Sequence, residues 1–160
     1  FSNLKIETAI VMDQKIIHNF TWIPLFLIGL GAVGLGLGWL IHPEPWMLDQ
    51  PPNEALLQTS FHTLFADEIN THLPDYLLVI YRFFGWWVMS IGLLTMTYIQ
   101  VTKMGTALAR NSILGVFLII LIGIAYMVFS FIPLSPFKIV LYLQSAMWLT
   151  SAYFSTQLQD

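Results

Sequence analysis

The sequence predicts an all-α integral membrane protein, in which four transmembrane helices form a single bundle. Hydrophobic residues make up 57% of the 160 positions, charged residues only 9%, and the mean hydropathy is +0.73. A soluble domain carries about 25% charged residues, so this chain has too few to cover itself with a water-compatible surface. Four uncharged runs each reach the roughly 20 residues that a bilayer crossing needs. Lipid cannot satisfy backbone amides, so each run is predicted to be helical.

The predicted spans follow from the charged residues and prolines that delimit them. A single transmembrane domain covers residues 1–160, with spans at residues 19–41, 76–102, 107–132 and 136–156. Residues 42–75 form a long loop between the first two spans, and its first part is rich in proline. The segment NEALLQTSFHTLF within it predicts an amphipathic helix, because its apolar residues recur at helical spacing. We expect that helix to lie on the membrane surface or over the mouth of the bundle.

Small residues in the first span predict a helix-packing surface. Gly34 and Gly38 form a G-x-x-x-G pair, and Ala32 with Gly36 forms a second pair of small residues at the same spacing. This spacing bares the backbone on one helix face and lets a neighbouring helix approach closely. The neighbour can belong to the same bundle or to another chain, and a groove for a flat ligand is the alternative interpretation.

The distribution of Lys and Arg predicts the orientation in the membrane. Lys5, Lys15, Lys103 and Arg110 flank one side, whereas Lys138 and Arg82 flank the other. The positive-inside rule then places both termini in the cytoplasm and the acidic 42–75 loop on the outer side. The chain starts at Phe1 without an initiator Met, so we expect a processed or partial chain. No signal-peptide pattern precedes the first span, so we expect no remaining signal peptide.

Composition and missing motifs exclude several function classes. The absence of cysteine rules out disulfides, thiolate metal sites and cysteine nucleophiles. The net charge is −3 and no Lys/Arg cluster is present, so nucleic-acid binding is set aside. No Ser-His-Asp set, phosphate-binding loop or paired membrane carboxylates can be recognised. The sequence therefore favours a non-enzymatic role and predicts no catalytic residue.

Arg82 is the polar residue that the pattern singles out most clearly. A charge about two turns inside a span is costly unless it faces the bundle or reaches out to the interface. We expect an ion pair with Asp75 or Glu68 that holds the loop onto the bundle; binding of an anionic headgroup, a carboxylate or a quinone carbonyl is the alternative. Trp86 and Trp87 belong to the predicted aromatic belt, and only one of them can face inward because adjacent helical residues point about 100° apart.

The remaining candidates are weaker. The loop residues His62, His72, Asp67 and Glu68 have the side chains that bind divalent metals, but their spacing fits no recognised motif, which favours solvated polar residues. His42 is the candidate for ligation of a pigment at the interface. In the fourth span Ser151 and Ser155 share a helix face, which favours hydrogen bonding between helices.

The layout resembles a known family. A glycine-rich first span that leaves the membrane through LIHPEPW, an Arg-led second span (YRFFGWWVMSIGLL) and two tighter spans are similar to the DoxX-like small four-helix membrane proteins. The resemblance implies the four-helix fold and transfers no catalytic residue. Some members of that family are tied to respiratory or redox complexes, and the long 42–75 loop departs from the family layout.

Three functions are open to the sequence. The first is a non-catalytic accessory subunit of a larger membrane complex, such as a respiratory, photosynthetic or other redox complex, with lipids and other membrane subunits or copies of itself as partners. The second is a small bundle that binds a lipid, quinone or carotenoid near Arg82 and the loop. The third is a metal-dependent membrane enzyme that uses the histidines and acidic residues of the loop. A bound lipid, quinone or pigment is the class of cofactor left open.

Overall fold

A computed structural model describes the backbone of residues 2–158 and the side chains of residues 14–158. Its helices are α1 (Ser2–Ile41), α2 (Gln50–Leu57), α3 (Phe61–Ala66), α4 (Leu73–Thr102), α5 (Ala107–Phe131) and α6 (Phe137–Ser155). Two short 3-10 turns, Pro45–Asp49 and Glu68–Asn70, complete the loop between α1 and α4. No strand occurs between residues 2 and 158.

Three helical segments are long and apolar enough to cross a membrane. They are Gln14–Ile41, Glu68–Thr102 and Ala107–Phe131, and an 18-residue stretch within each has a mean hydropathy of 2.0, 1.7 and 2.7, respectively. The prediction of an all-helical fold is confirmed over the described residues, and these three segments are consistent with the predicted membrane protein. The fourth predicted span corresponds to α6, which is not among these three membrane-length segments. Its 19 residues include Lys138 and several hydroxyl side chains.

The four long helices run alternately up and down, so that their ends meet in two groups. At the first end, which we call the His18 end, His18 Nε2 lies 2.7 Å from the carbonyl oxygen of Lys103, and the rings of Phe20 and Phe154 stack at 4.9 Å. At the opposite, Trp39 end, the Trp39 ring lies 4.9 Å from Phe84 and 5.8 Å from Phe137. α1 packs against both α4 and α6, and α6 packs against α5.

The hydrophobic core lies toward the His18 end. It joins α1, α4 and α5 with the turn between the latter two, through Leu25, Ile28, Ile99, Met104, Ile113, Leu114 and Phe117. Arg110 is 3% exposed beside this core, and its Nη1 donates to the carbonyl oxygen of Met104 at 3.3 Å. The sequence placed Arg110 only at the start of a span, and the fold turns it inward, where it helps to fix the α4–α5 turn.

Four glycines bring α1 and α4 into backbone contact. A Cβ at Gly36 would lie 2.5 Å from the carbonyl oxygen of Gly85, and a Cβ at Gly92 would lie 2.5 Å from that of Gly29. Each step of seven residues along α1 is matched by a step of seven in the opposite direction along α4. Seven residues are two turns of 3.5 residues each. This is the period at which one face of a helix stays against its partner in a left-handed coiled pair of helices. We call Gly29, Gly36, Gly85 and Gly92 the glycine seam.

The predicted small-residue surface is only partly the one that packs. Gly36 belongs to the seam, and Ala32 is half-buried. A Cβ at Gly34 would meet nothing within 4 Å, and one at Gly38 would meet only Leu48 Cδ1 at 3.9 Å. Helix contact through Gly34 and Gly38 thus does not occur in the described chain, and contact with another chain stays a prediction. The four-residue spacing of the sequence pattern differs from the seven-residue spacing of the seam, because the residues of α4 that face α1 determine which glycines of α1 pack against it.

The loop helix predicted as one amphipathic segment is divided in two. Gln58 ends α2 in the left-handed region with φ 55°, and the Ser60 hydroxyl then accepts from Thr63 N at 3.1 Å to start α3. Phe61 is buried near the Trp46 ring, with ring centroids 6.5 Å apart, whereas Leu56 is 61% exposed. The apolar residues of the loop therefore do not share one face.

Candidate functional site

The polar groups that the fold does bring together lie at the Trp39 end. Asn53 Nδ2 in α2 donates to the hydroxyl of Tyr81 in α4 at 2.7 Å. Asp49, at the end of the first 3-10 turn, is half-buried beside the indole of Trp39, which is itself only 4% exposed. We call Trp39, Asp49, Asn53 and Tyr81 the Trp39 cluster. It fastens the loop onto the ends of α1 and α4.

The electrostatics of this cluster centre on Asp49. Burial raises the pKa of the Asp49 carboxyl above 3.8, and the nearby indole N–H of Trp39 opposes this effect by favouring the ionised form. The indole nitrogen is buried, and its geometry falls short of a full hydrogen bond to any described residue. The cluster thus contains a carboxylate that is poorly solvated and only partly compensated.

A second carboxylate ties the two loop helices together. Glu54 Oε1 accepts from Gln50 Nε2 at 3.0 Å and from the backbone N–H of Phe61 at 2.9 Å. These two hydrogen bonds, the Gln50 one first, lower the pKa of the Glu54 carboxyl below 4.5. Glu54 therefore acts within the loop, bridging α2 to the first residue of α3.

Arg82 and its predicted partners do not meet. Arg82, Asp75 and Glu68 are all solvent-exposed, and among the described side chains none of the three forms an ion pair with another. Seven residues of helix separate Arg82 from Asp75 by about 10 Å, which is too far for a direct contact. The expected ion pair that would hold the loop is thus absent from the described chain. The Asn53–Tyr81 hydrogen bond holds the loop instead.

The tryptophan pair points away from the bundle. Trp86 is 57% exposed and Trp87 is 55% exposed, and the Trp87 ring meets that of Phe83 edge-on at 6.0 Å. The sequence allowed one of them to face inward. Neither does, because Gly85 occupies the inward direction at this level, against Gly36.

The loop histidines and acidic residues remain dispersed. His62, His72, Asp67 and Glu68 are exposed, and no group of three His, Asp or Glu side chains converges within residues 14–158. His42 accepts from the backbone N–H of Glu44 at 3.1 Å through Nδ1, so one ring nitrogen is used in a local turn.

The serine face of the fourth predicted span contacts the bundle. Ser151 is fully buried, and its hydroxyl donates to the carbonyl oxygen of Thr21 in α1. Ser155 is 8% exposed one turn later. Trp148 Nε1 donates to the carbonyl oxygen of Leu114 in α5 at 2.9 Å, so α6 is linked to both of its neighbours.

The larger groove is apolar and lies at the His18 end, far from Arg82. It has a volume of about 580 Å³ and opens between α1 and α6. Apolar side chains dominate its walls, among them Phe20, Ile23, Leu27, Leu143 and Met147. A groove of this kind suits an apolar chain or ring.

Sequence reasoning missed the residues of the Trp39 cluster. Trp39, Asp49, Asn53 and Tyr81 belong to no recognisable sequence motif. Their association depends on how the loop folds back, which no periodic pattern encodes. Comparison with family models, curated proteins and solved structures finds no match. The resemblance to DoxX-like proteins stays a prediction.

Proposed function

We propose that this chain is a non-catalytic accessory subunit of a larger membrane complex and that it contacts other subunits through the exposed face of α4. The observation that carries this proposal is how little of α4 is covered. Only 11% of its most apolar stretch is buried, compared with 33% in α1 and 28% in α5. The glycine seam covers one narrow face, and most of the other large apolar side chains of the helix are exposed.

The proposal includes four spans. Arg82 and Lys103 are 21 residues apart on α4, which is about 31 Å of helix and equals the thickness of a hydrocarbon core. Both cations then lie at the interfaces, where charge costs little. α6 extends over the same depth, since Phe137 packs near Trp39 at one end and Phe154 against Phe20 at the other. Both termini are cytoplasmic in this arrangement, and the 42–75 loop is outside.

The composition of the exposed face favours a protein neighbour. Arg82, Phe83, Trp86 and Trp87 follow one another within two turns, and all are exposed. Trp, Tyr and Arg dominate the energetics of protein interfaces because they bury large areas and still offer hydrogen bonds. An aromatic belt at a lipid interface also contains Trp and Tyr, so the crosslinking experiment below separates a protein neighbour from a lipid one.

A photo-crosslinking amino acid at position 87 tests this proposal in the native membrane. The matched control places the same group at position 119 of α5, where Ile119 is 73% exposed and lies among aliphatic residues. We expect a discrete protein adduct of one mass from position 87 and only lipid adducts from position 119. Native mass spectrometry of the gently solubilised protein should then show stoichiometric partner subunits. Lipid adducts alone from both positions, with a monomeric mass, would contradict the proposal.

Substitution of Arg82 sharpens the same test. Arg82→Gln removes the charge at the edge of the aromatic face and keeps much of the side-chain length. We expect partner subunits to dissociate more readily in detergent, with the fold unchanged because Arg82 makes no contact that holds the described bundle together. If the complex is fully retained in this variant, Arg82 does not contribute to the subunit interface.

The apolar groove supports a second candidate, the binding of a hydrophobic ligand such as a lipid, quinone or carotenoid. Ala146→Phe would fill the groove between α1 and α6, and Leu149→Phe on the lipid-facing side of α6 is the control. If the groove holds a ligand, Ala146→Phe abolishes a bound mass and its absorption band, and Leu149→Phe retains both. Equal ligand content in the two variants would exclude this groove.

A further inference from the structure

A smaller groove between α1 and α4 combines an apolar floor with a polar rim. It has a volume of about 210 Å³ and lies at the His18 end. Trp22, Phe26 and Ile99 form the floor, and His18, Gln100 and Lys103 form the rim. An apolar floor beneath a polar edge is the surface that an amphiphile needs.

The position of the rim is fixed by hydrogen bonds. His18 Nε2 donates to the carbonyl oxygen of Lys103 at 2.7 Å, because a carbonyl oxygen can only accept. The backbone N–H of Lys103 donates to the carbonyl oxygen of Ile99 at 2.9 Å and closes the last turn of α4. The base of the Lys103 side chain is thus held directly above the groove, one residue beyond the membrane-length segment that ends at Thr102.

The backbone at this rim is strained. Lys103 and Met104 both adopt the left-handed region, with φ of 52° and 51°, although neither is glycine. This conformation costs about 1–2 kcal/mol per residue for side chains other than glycine. Met104 is fully buried in the core, so its packing offsets the cost. The Lys103 side chain is exposed, and packing gives no reason for a lysine there.

Charge is distributed unequally between the two ends. Every acidic side chain within residues 14–158 lies between Glu44 and Asp75, at the Trp39 end. Within the same residues the His18 end carries Lys15 and Lys103 at its surface. Among residues 14–158, an anion at the rim therefore lies near these two lysines and away from every carboxylate.

We infer that this groove binds an anionic phospholipid. The phosphate lies at the rim beside Lys103 and Gln100, and one acyl chain lies along Trp22 and Phe26. Sites that enclose a small molecule have volumes of about 300 Å³ or more, and this groove is smaller. It therefore holds a segment of one acyl chain, while the rest of the lipid stays in the bilayer. The inference goes beyond the proposed function because it needs no partner subunit.

Lipid titration of the purified chain tests the inference. Native mass spectrometry and thermal unfolding would be recorded with phosphatidylglycerol, phosphatidylcholine and inorganic phosphate. We expect phosphatidylglycerol to stay bound and to raise Tm more than phosphatidylcholine, and inorganic phosphate to leave Tm unchanged because it cannot use the apolar floor. Equal effects of the two lipids would overturn the inference, as would full stabilisation by phosphate alone.

Variants of the rim and of the opposite end locate the effect. Lys103→Gln should reduce phosphatidylglycerol affinity roughly tenfold, since a hydrogen bond to a charged group is lost. Lys103→Arg keeps the charge and should retain the affinity, and Lys138→Gln removes a cation at the opposite end and should change nothing. Should Lys103→Gln fail to fold, Gln100→Leu tests the same rim, with a smaller expected loss. Unchanged affinity in Lys103→Gln, or in Gln100→Leu where it replaces that variant, would overturn the assignment, as would an equal loss in Lys138→Gln.

Discussion

The two faces of α1 are joined to their neighbours in different ways. Toward α4 the contact is backbone against backbone, with Gly36 and Gly85 so close that neither can carry a Cβ. Toward α6 the contact runs through side chains, with the Ser151 hydroxyl on the Thr21 carbonyl and the Phe20 ring stacked on Phe154. The second contact leaves a groove of about 580 Å³, and the groove beside the first contact has a volume of about 210 Å³.

This difference shows two solutions to one physical problem. Lipid tails are as apolar as the helices, so the hydrophobic effect does not drive helices together inside a membrane. The α1–α4 pair relies on close van der Waals contact, which requires glycine at fixed positions. The α1–α6 pair relies on a few hydrogen bonds and ring contacts, which tolerate gaps. We therefore expect substitutions to have large effects in the first contact and small effects in the second.

Gly36→Ala should have the largest effect. The new Cβ would lie 2.5 Å from the Gly85 carbonyl oxygen and 2.6 Å from Met89 N, and both are backbone atoms that cannot rotate away. Forcing the helices apart should cost about 1–3 kcal/mol or more of unfolding free energy, as overpacking does elsewhere. The measurement is the unfolding midpoint in detergent titrated with a denaturing detergent.

Gly34→Ala is the matched control for that prediction. It lies two residues away on the same helix, where a Cβ meets nothing within 4 Å. Alanine is favoured over glycine in a helix by about 1 kcal/mol, so this variant should be as stable as the parent or more so. Equal destabilisation by the two substitutions would show that the seam is not the source of the effect.

Ser151→Ala should have a smaller effect. It removes the hydroxyl that donates to Thr21 O between α6 and α1. Hydrogen bonds between membrane helices contribute about 0.6 kcal/mol on average, so we expect a loss of that order. Thr150→Ala is the control, because its hydroxyl bonds to Ala146 O within α6 itself. A loss of several kcal/mol in Ser151→Ala would mean that the second contact is as demanding as the first.

Asp49→Asn should have the smallest effect, and its size depends on pH. Trp39 touches Phe84 of α4 and Phe137 of α6, so the cluster lies where the two contacts converge. Burial raises the pKa of Asp49 above 3.8, so the folded state binds a proton more readily than the unfolded chain does. Stability therefore falls as pH rises from about 3.8 through the raised pKa, and the penalty persists at neutral pH.

The asparagine variant lacks this penalty. Its Tm should exceed that of the parent at pH 7, and the difference should disappear near pH 3.5. Asp67→Asn, an exposed carboxylate away from Trp39, is the control. A gain that is the same at both pH values would point to altered packing instead of titration.

The helical membrane class was predictable because it rests on composition and on long uncharged runs, which leave the backbone no alternative to helix. The seam was not predictable in the same way. Gly36 is visible in the sequence, but its partner Gly85 lies in another helix, and the register between them is set only when the loop folds. The Trp39 cluster was not predictable for the same reason, because Asn53 and Tyr81 are 28 residues apart and meet only once the loop has folded.

The fixed register of the glycine seam also determines how the molecule can move. Sliding α4 along α1 by less than a full repeat would press the Met89 or Val33 side chains against backbone that has no room for them. We therefore expect α1 and α4 to move as one unit, without sliding along each other. A displacement imposed on the loop at the Trp39 end would then reach the Lys103 turn, about 31 Å away at the opposite end of the helix pair.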